Sequence, residues 1–160
     1  ELRVYIRSLL MEQEVKFAGI LKVMPSPTVI AKIESLLPEL PPEAVPLPAD
    51  RFHVTLAHQS VLKPYRKQLK QLAKDGMLPP TPPVDLENGW EVRPPEGEAD
   101  ESGRKSWVVW VKNQGVIGDY LNEIMDLVGG PMDIWKEEIP IRKFHISIAN
   151  LTGNPGDSIR

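Results

Sequence analysis

An eight-residue pattern occurs twice in the chain and constrains the fold more than any other feature. Residues 51–58 read RFHVTLAH, and residues 143–150 read KFHISIAN. The two segments match position by position in residue class: basic, Phe, His, β-branched, hydroxyl, aliphatic, Ala and polar. Each alternates with period two, which is typical of a strand whose successive side chains point to opposite faces. The fold must therefore contain two equivalent strands.

The alternation predicts which side chains share a face of each strand. One face is apolar in both copies, with Phe52, Val54 and Leu56 in the first and Phe144, Ile146 and Ile148 in the second. The other face carries a histidine and, two residues later, a hydroxyl: His53 and Thr55, then His145 and Ser147. Two strands that each present an imidazole and a hydroxyl away from the core predict a two-sided catalytic cleft.

Paired His-x-Thr/Ser motifs on matched strands resemble the 2H phosphoesterase superfamily. That group contains 2′,5′ RNA ligase-like proteins, cyclic phosphodiesterases and phage anti-CBASS nucleases, and the resemblance covers residues 16–150. It implies a bilobal α+β fold in which two antiparallel-sheet lobes are related by pseudo-twofold symmetry, with a central cleft and with helices outside. It also implies attack on a phosphodiester at the centre of the cleft without a metal ion.

Cleavage of a phosphodiester without a metal ion has three chemical requirements. It needs a base for the attacking hydroxyl, an acid for the leaving oxygen and donors for the charge on the non-bridging oxygens. Histidine exchanges protons near neutral pH, so we expect His53 and His145 to be base and acid, in either assignment. Thr55 and Ser147 are expected to donate hydrogen bonds to the phosphate. His58, outside the repeated triplet, is expected to be structural or peripheral.

The predicted activity is a metal-independent phosphodiesterase that cleaves a short RNA-like or cyclic nucleotide, via or on a 2′,3′-cyclic phosphate. The expected partners are a small nucleotide, a cyclic oligonucleotide or a short RNA, and the protein is expected to act as a monomer without a cofactor. A zinc site has no support, because the chain has no cysteine and no His-Glu-x-x-His spacing. Two alternatives remain: a nucleotide- or RNA-binding module without turnover, and a structural α+β domain in which the repeat is a coincidence.

Five further residues are candidates for contacts with the substrate: Arg51, Lys143, Tyr65, Trp107 and Trp110. Strand parity places Arg51 and Lys143 on the same faces as the histidines, where either can meet a phosphate. The three aromatic residues are candidates for stacking on bases. Because Trp107 and Trp110 lie three positions apart on one predicted strand, at most one of them faces the cleft.

The most basic segment follows the first histidine strand. Its cations are Lys63, Arg66, Lys67, Lys70 and Lys74, all on one predicted helix. A solvated helix face and a phosphate-steering patch near the cleft are both compatible with this pattern.

Composition predicts one domain, residues 1–160, since 41% hydrophobic content is enough for a core. Its lobes are expected at 16–78 and 84–150, with a proline-rich crossing near 79–83 and a short helix over 2–13. The net charge of −3 disfavours double-stranded DNA as a partner. The lack of a long apolar run and of cysteine predicts a cytoplasmic protein without a membrane span, in the host cytoplasm if the source is a virus.

Patterning also predicts the elements around the two motifs. We expect one buried strand over Val15–Met24, a helix over Thr28–Leu37 and a proline-rich loop over 38–48. Later in the chain, we expect an alternating strand over Val84–Val92 and a helix over Gly115–Val128.

Overall fold

The computed structural model describes residues 14–98, 100, 102–131, 133–138 and 143–159. Its strands are β1 (Glu14–Phe17), β2 (Leu21–Met24), β3 (Val45–Pro46), β4 (Val54–Ala57), β5 (Glu91–Arg93), β6 (Ser106–Trp110) and β7 (His145–Asn150). Its α-helices are α1 (Pro27–Leu36), α2 (Gln59–Leu62), α3 (Arg66–Lys74), α4 (Gln114–Leu127) and α5 (Ile134–Glu138). The helix predicted over 2–13 lies outside the described residues. Antiparallel strands and separate helices make this an α+β fold, as predicted.

The strands form one antiparallel sheet in the order β1-β2-β4-β7-β6-β5, and the short β3 pairs with the end of β7. β4 and β7 carry the two histidine motifs and are direct neighbours at its centre. Their register consists of one pair, Val54 with Ile146. We expected two sheets, one in each lobe, that meet with the histidine strands side by side. The strands are side by side, and the pairing of Val54 with Ile146 joins the two halves into one sheet.

The predicted division of the motif strands into two faces agrees with their burial. The six apolar side chains are all buried in the core: Phe52, Val54, Leu56, Phe144, Ile146 and Ile148. The histidines and hydroxyls that alternate with them are only half-buried. The sheet therefore has an apolar face that carries the core and an opposite face that carries the motif side chains.

Two helices contribute most of the helical part of the core. α1 follows Ser26, whose hydroxyl accepts a hydrogen bond from the Val29 amide, and Pro27 sits at its start, where no amide donor is needed. α4 buries apolar residues at helical spacing and packs against β4, so it supports the first histidine strand. Its bounds agree within one residue at each end with the predicted helix. No helix in the described part of the chain is long and apolar enough to cross a bilayer.

The segment predicted as one strand over Val15–Met24 is instead the hairpin of β1 and β2. Gly19 adopts a φ of 84°, which glycine takes without strain, and the Ala18 amide donates to the Ile20 carbonyl oxygen at 3.0 Å. The chain reverses at this turn. As a result, the first half of the chain consists of the hairpin β1–β2, then the helix α1, and then the histidine strand β4. The second half has the same order of principal elements: β5 and β6, then α4, then β7.

The strand predicted over Val84–Val92 is shorter than expected. Only Glu91–Arg93 forms β5, while Leu86 makes an isolated bridge to Val111. Asn88 and Gly89 lie in a bend between them. This bend interrupts the pairing, although the side chains on both sides of it keep the alternating pattern of the sequence.

Candidate active site

Both histidine motifs open onto a single cleft of about 640 Å³. His53, Thr55, His145 and Ser147 all line it. The structure thus brings together the four residues predicted to be catalytic, although the two copies of the repeat are far apart in the sequence.

The register between β4 and β7 relates these four side chains to each other. Val54 lies opposite Ile146, and both are fully buried on the core face. The residues on either side of each partner point to the other face, because side chains alternate along a strand. Continuing the antiparallel register by one residue in each direction places each histidine beside the hydroxyl residue of the other motif.

The same hydrogen bond orients both imidazoles. Nδ1 of His53 lies 2.8 Å from the carbonyl oxygen of Arg51, and Nδ1 of His145 lies 2.8 Å from that of Lys143. A carbonyl oxygen can only accept, so Nδ1 carries the proton in both rings. Nε2 is therefore the nitrogen through which each histidine gains or loses a proton. The matched hydrogen bonds therefore leave the same nitrogen of each ring available for proton exchange.

Burial and two cations set the acidity of the first histidine. Burial lowers the pKa of His53 below its ordinary value, the hydrogen bond to the Arg51 carbonyl raises it, and the charges of Lys22 and Arg51 lower it further. Lys22 is the register partner of Thr55 on the neighbouring strand β2, so it belongs to the cleft face of the sheet. Sequence reasoning missed Lys22, although a lysine flanked by apolar residues in a strand marks a polar face.

The second histidine lies against a tryptophan. Trp110 and His145 are register partners, and their rings make an edge contact with centroids 5.5 Å apart. Trp110 Nε1 donates to a carboxylate oxygen of Glu91 at 2.6 Å, which fixes the indole. The charged groups of Arg93 and Lys143 lie 5.5 and 5.9 Å from the centre of the indole. A half-buried aromatic ring surrounded by charge is therefore held beside the cleft.

The five candidate substrate contacts lie in different parts of the structure. Arg51 lines the cleft, although it ends a 3₁₀ turn before the strand, so strand parity is the wrong reason for its position. Lys143 and Trp110 line a neighbouring depression of about 590 Å³. Trp107 is in the core with 1% of its surface exposed, which leaves no ring face for a base. Tyr65 packs against the core and is not among the described residues that line the cleft.

Residues 155–159 form a wall of the cleft that sequence reasoning missed. Asn150, fully buried at the end of β7, donates from its side-chain amide to the carbonyl oxygen of Asn154 and to the hydroxyl of Ser158. The buried hydroxyl of Ser106 accepts a hydrogen bond from a backbone amide of the wall at 2.8 Å. The only sequence signal was a polar residue, Asn150, at the end of a strand that is otherwise apolar on that side.

The described lining of the cleft offers three imidazoles, those of His53, His58 and His145, together with hydroxyls and one guanidinium group. Among the described residues, no three histidine, cysteine, aspartate or glutamate side chains cluster closely enough to hold a metal ion. Comparisons with protein-family models, with curated proteins and with solved structures found no match. The chemistry of the cleft is therefore inferred from its own residues.

Proposed function

We propose that the protein is a phosphodiesterase of the 2H type that cleaves a short RNA-like or cyclic nucleotide by acid-base catalysis between His53 and His145. The observation that carries this proposal is the placement of two imidazoles in one cleft, each with Nδ1 bonded to the carbonyl oxygen two residues before it. One histidine in a cleft has many structural explanations. Two that are oriented alike are what proton transfer on both sides of a phosphate requires.

In this mechanism, one imidazole accepts the proton of the attacking hydroxyl at Nε2, while the other donates a proton from Nε2 to the leaving oxygen. Thr55 and Ser147 donate hydrogen bonds to the non-bridging oxygens, where negative charge develops. Arg51 adds a local positive charge that attracts the phosphate to a chain with a net charge of −3. The lowered pKa of His53, which results chiefly from burial, favours its neutral form and therefore the role of base, which leaves the role of acid to His145.

The order of elements supports the assignment to the 2H type. Each half contributes a hairpin, a helix and a histidine strand, and the two strands meet at Val54 and Ile146. We infer a pseudo-twofold axis near this pair, which relates lobes at 16–78 and 84–150 across the cleft. The symmetry is incomplete, because β3 precedes the first histidine strand but pairs with β7.

The partners and the compartment follow from the same proposal. The expected substrate is a small nucleotide, a cyclic oligonucleotide or a short RNA, with Trp110 as the platform on which a base stacks. The absence of cysteine fits a reducing cytoplasm, where we propose that the protein acts as a monomer. A binding module without turnover would use Arg51 and Trp110 equally well, but it leaves the paired proton-transfer groups unexplained.

Turnover in the presence of a chelator tests the proposal directly. Linear 2′,5′- and 3′,5′-linked dinucleotides, 2′,3′-cyclic phosphates and cyclic oligonucleotides are incubated with the protein in excess EDTA and separated by chromatography. At least one of them is expected to be cleaved at the same rate with and without EDTA, because imidazoles supply both proton transfers. Binding without turnover across the panel would favour the binding module. Loss of activity in EDTA that one divalent ion restores would assign the protein to a metal-dependent class.

The acidic limb of the pH profile tests the role of Lys22. As the base, His53 must be deprotonated, so kcat/KM falls as the pH drops through its pKa, and this limb lies below the ordinary histidine value. Lys22→Gln removes a charge that disfavours the protonated imidazole, so the pKa rises and the limb moves to higher pH. Lys16→Gln is the matched control, because Lys16 is the register partner of Lys22 on the outer strand β1.

The alkaline limb of the profile should stay in place in both lysine variants. A shift of the alkaline limb in Lys22→Gln would instead indicate that His53 is the acid and His145 the base. An unchanged profile in that variant would show that its charge does not act on the reacting groups.

A further inference from the structure

We propose that the substrate is a linear single-stranded RNA of several nucleotides, whose flanking phosphates lie on a basic track that leads from the cleft along α3. The track consists of Lys63, Arg66, Lys67, Lys70 and Lys74. This inference rests on the proposed function, because it extends the substrate out of the same cleft.

The track is continuous with the cleft. A second depression, of about 420 Å³, shares the residues Gln59 and Ser60 with the cleft, and Lys63 and Arg66 line it. A third depression follows on the surface of α3, lined by Lys67, Lys70, Gln71 and Lys74. A strand whose scissile phosphate lies between the histidines therefore has a path to the helix past α2.

Among the described residues, no acidic side chain forms an ion pair with a cation of the track. The stretch 51–74 contains no acidic residue, although the chain has 22 acidic against 19 basic residues. The carboxylate of Asp75, which follows the track, accepts a hydrogen bond from Gln71. All five cations of the track are exposed. The ion pairs found among the described residues join Lys105 to Glu43 and Lys136 to Asp133, away from the track. Like charges spaced three and four residues apart repel each other and destabilise a helix. A bound polyanion would reduce this repulsion.

The length of the track favours several phosphates over one. At a rise of about 1.5 Å per residue, α3 covers about 12 Å from Arg66 to Lys74. Lys63, in the 3₁₀ turn that precedes α3, extends the track further. Lys67, Lys70 and Lys74 follow the i, i+3, i+7 spacing and share one helix face. A mononucleotide held between the histidines would leave this face unused. A bilayer surface or an acidic protein would use the charges but not the connection to the cleft at Gln59 and Ser60.

Binding of RNA of increasing length tests the track without requiring turnover. Fluorescein-labelled single-stranded RNAs of two, four and eight nucleotides are titrated with the His53→Ala/His145→Ala protein at several salt concentrations. Affinity is expected to rise with length, and the slope of log affinity against log salt should steepen by about 0.7 for each phosphate contact. In that background, Lys63→Gln/Arg66→Gln and Lys67→Gln/Lys70→Gln should each flatten the slope for the longest RNA by about 1.4.

The same two double variants should weaken binding of the eight-nucleotide RNA on the order of tenfold at 0.1 M salt and leave the dinucleotide unchanged. Lys105→Gln/Lys136→Gln is the matched control, since it makes the same change in net charge away from the track, and its slope should equal that of the parent protein. An equal loss in this control, or an affinity independent of RNA length, would overturn the proposal. The proposal would also be wrong if the two track variants lost binding to anionic vesicles while their binding to RNA stayed unchanged.

Turnover of a dinucleotide, measured separately with the wild-type histidines, distinguishes this proposal from the proposed function. If the dinucleotide is cleaved but length-dependent binding is absent, the track alone is wrong. If no nucleotide is cleaved while the track variants lose length-dependent RNA binding, the track stands and the catalytic proposal is wrong.

Discussion

Replacing either His53 or His145 with alanine is expected to lower kcat by about two to four orders of magnitude, the range for losing a positioned acid or base. Each ring lies on the cleft face of the sheet and not in the core, so the fold and the binding of substrate should survive. The double variant should be little worse than either single one, because groups that act as a unit are not additive. Single-turnover rates with saturating enzyme, together with binding titrations, separate the two effects.

His58→Asn is the matched control for these substitutions. It gives the first copy the residue that the second copy has at the same position, Asn150. His58 also lines the cleft but lies outside the repeated triplet, so kcat should fall far less than in the alanine variants. Thermal unfolding of all variants checks that they remain folded. Wild-type kcat in either single alanine variant would exclude paired histidine catalysis.

The sequence predicted the parts of this molecule that depend on local periodicity. The burial of Phe52 and Phe144 on one face, with the motif histidines on the other, follows from alternation along a strand. The bounds of α4 follow from apolar residues that repeat at helical spacing. The shared cleft does not follow from periodicity. It was predicted from the duplicated motif, because two matched strands that each carry a histidine and a hydroxyl are expected to form the two sides of one cleft.

The parts that the sequence did not predict depend on contacts between distant segments. Lys22 belongs to the cleft because β2 pairs with β4, and the periodicity of β2 alone does not name its neighbour. The wall at 155–159 is held by the buried side chains of Asn150 and Ser106, the second of which lies on another strand. The turn at Gly19 was missed because one glycine in an apolar run is compatible with a continuous strand as well as with a reversal.

A substrate that lacks the ribose hydroxyl next to the scissile phosphate is expected to bind without being cleaved. The chain has no cysteine, and the proposed mechanism uses Thr55 and Ser147, which line the cleft, as hydrogen-bond donors and not as nucleophiles. On an intact linkage, we expect the attacking group to be the adjacent ribose hydroxyl of the substrate itself, which is the 2′-hydroxyl in a 3′,5′ linkage and the 3′-hydroxyl in a 2′,5′ linkage. An internal nucleophile held beside the phosphorus gains effective molarities on the order of 10⁵–10⁸ M over a separate reactant.

The expected product of this route is a 2′,3′-cyclic phosphate. One imidazole removes the proton of the adjacent ribose hydroxyl as its oxygen bonds to phosphorus, and the other protonates the leaving oxygen as its bond to phosphorus breaks. The pH profile should be bell-shaped, because one ring must be neutral and the other protonated. No solvent oxygen enters the product in this step, so a reaction in isotopically labelled water should give an unlabelled cyclic phosphate, identified by mass spectrometry.

The matched deoxy substrate decides between the internal route and attack by water. It differs from the ribose substrate by one hydroxyl, so binding should be retained while cleavage falls below detection. Efficient cleavage of the deoxy linkage, or labelled oxygen in the first product, would mean that one histidine activates water instead. The comparison has to use an intact internucleotide linkage, because opening a preformed cyclic phosphate requires water in either mechanism.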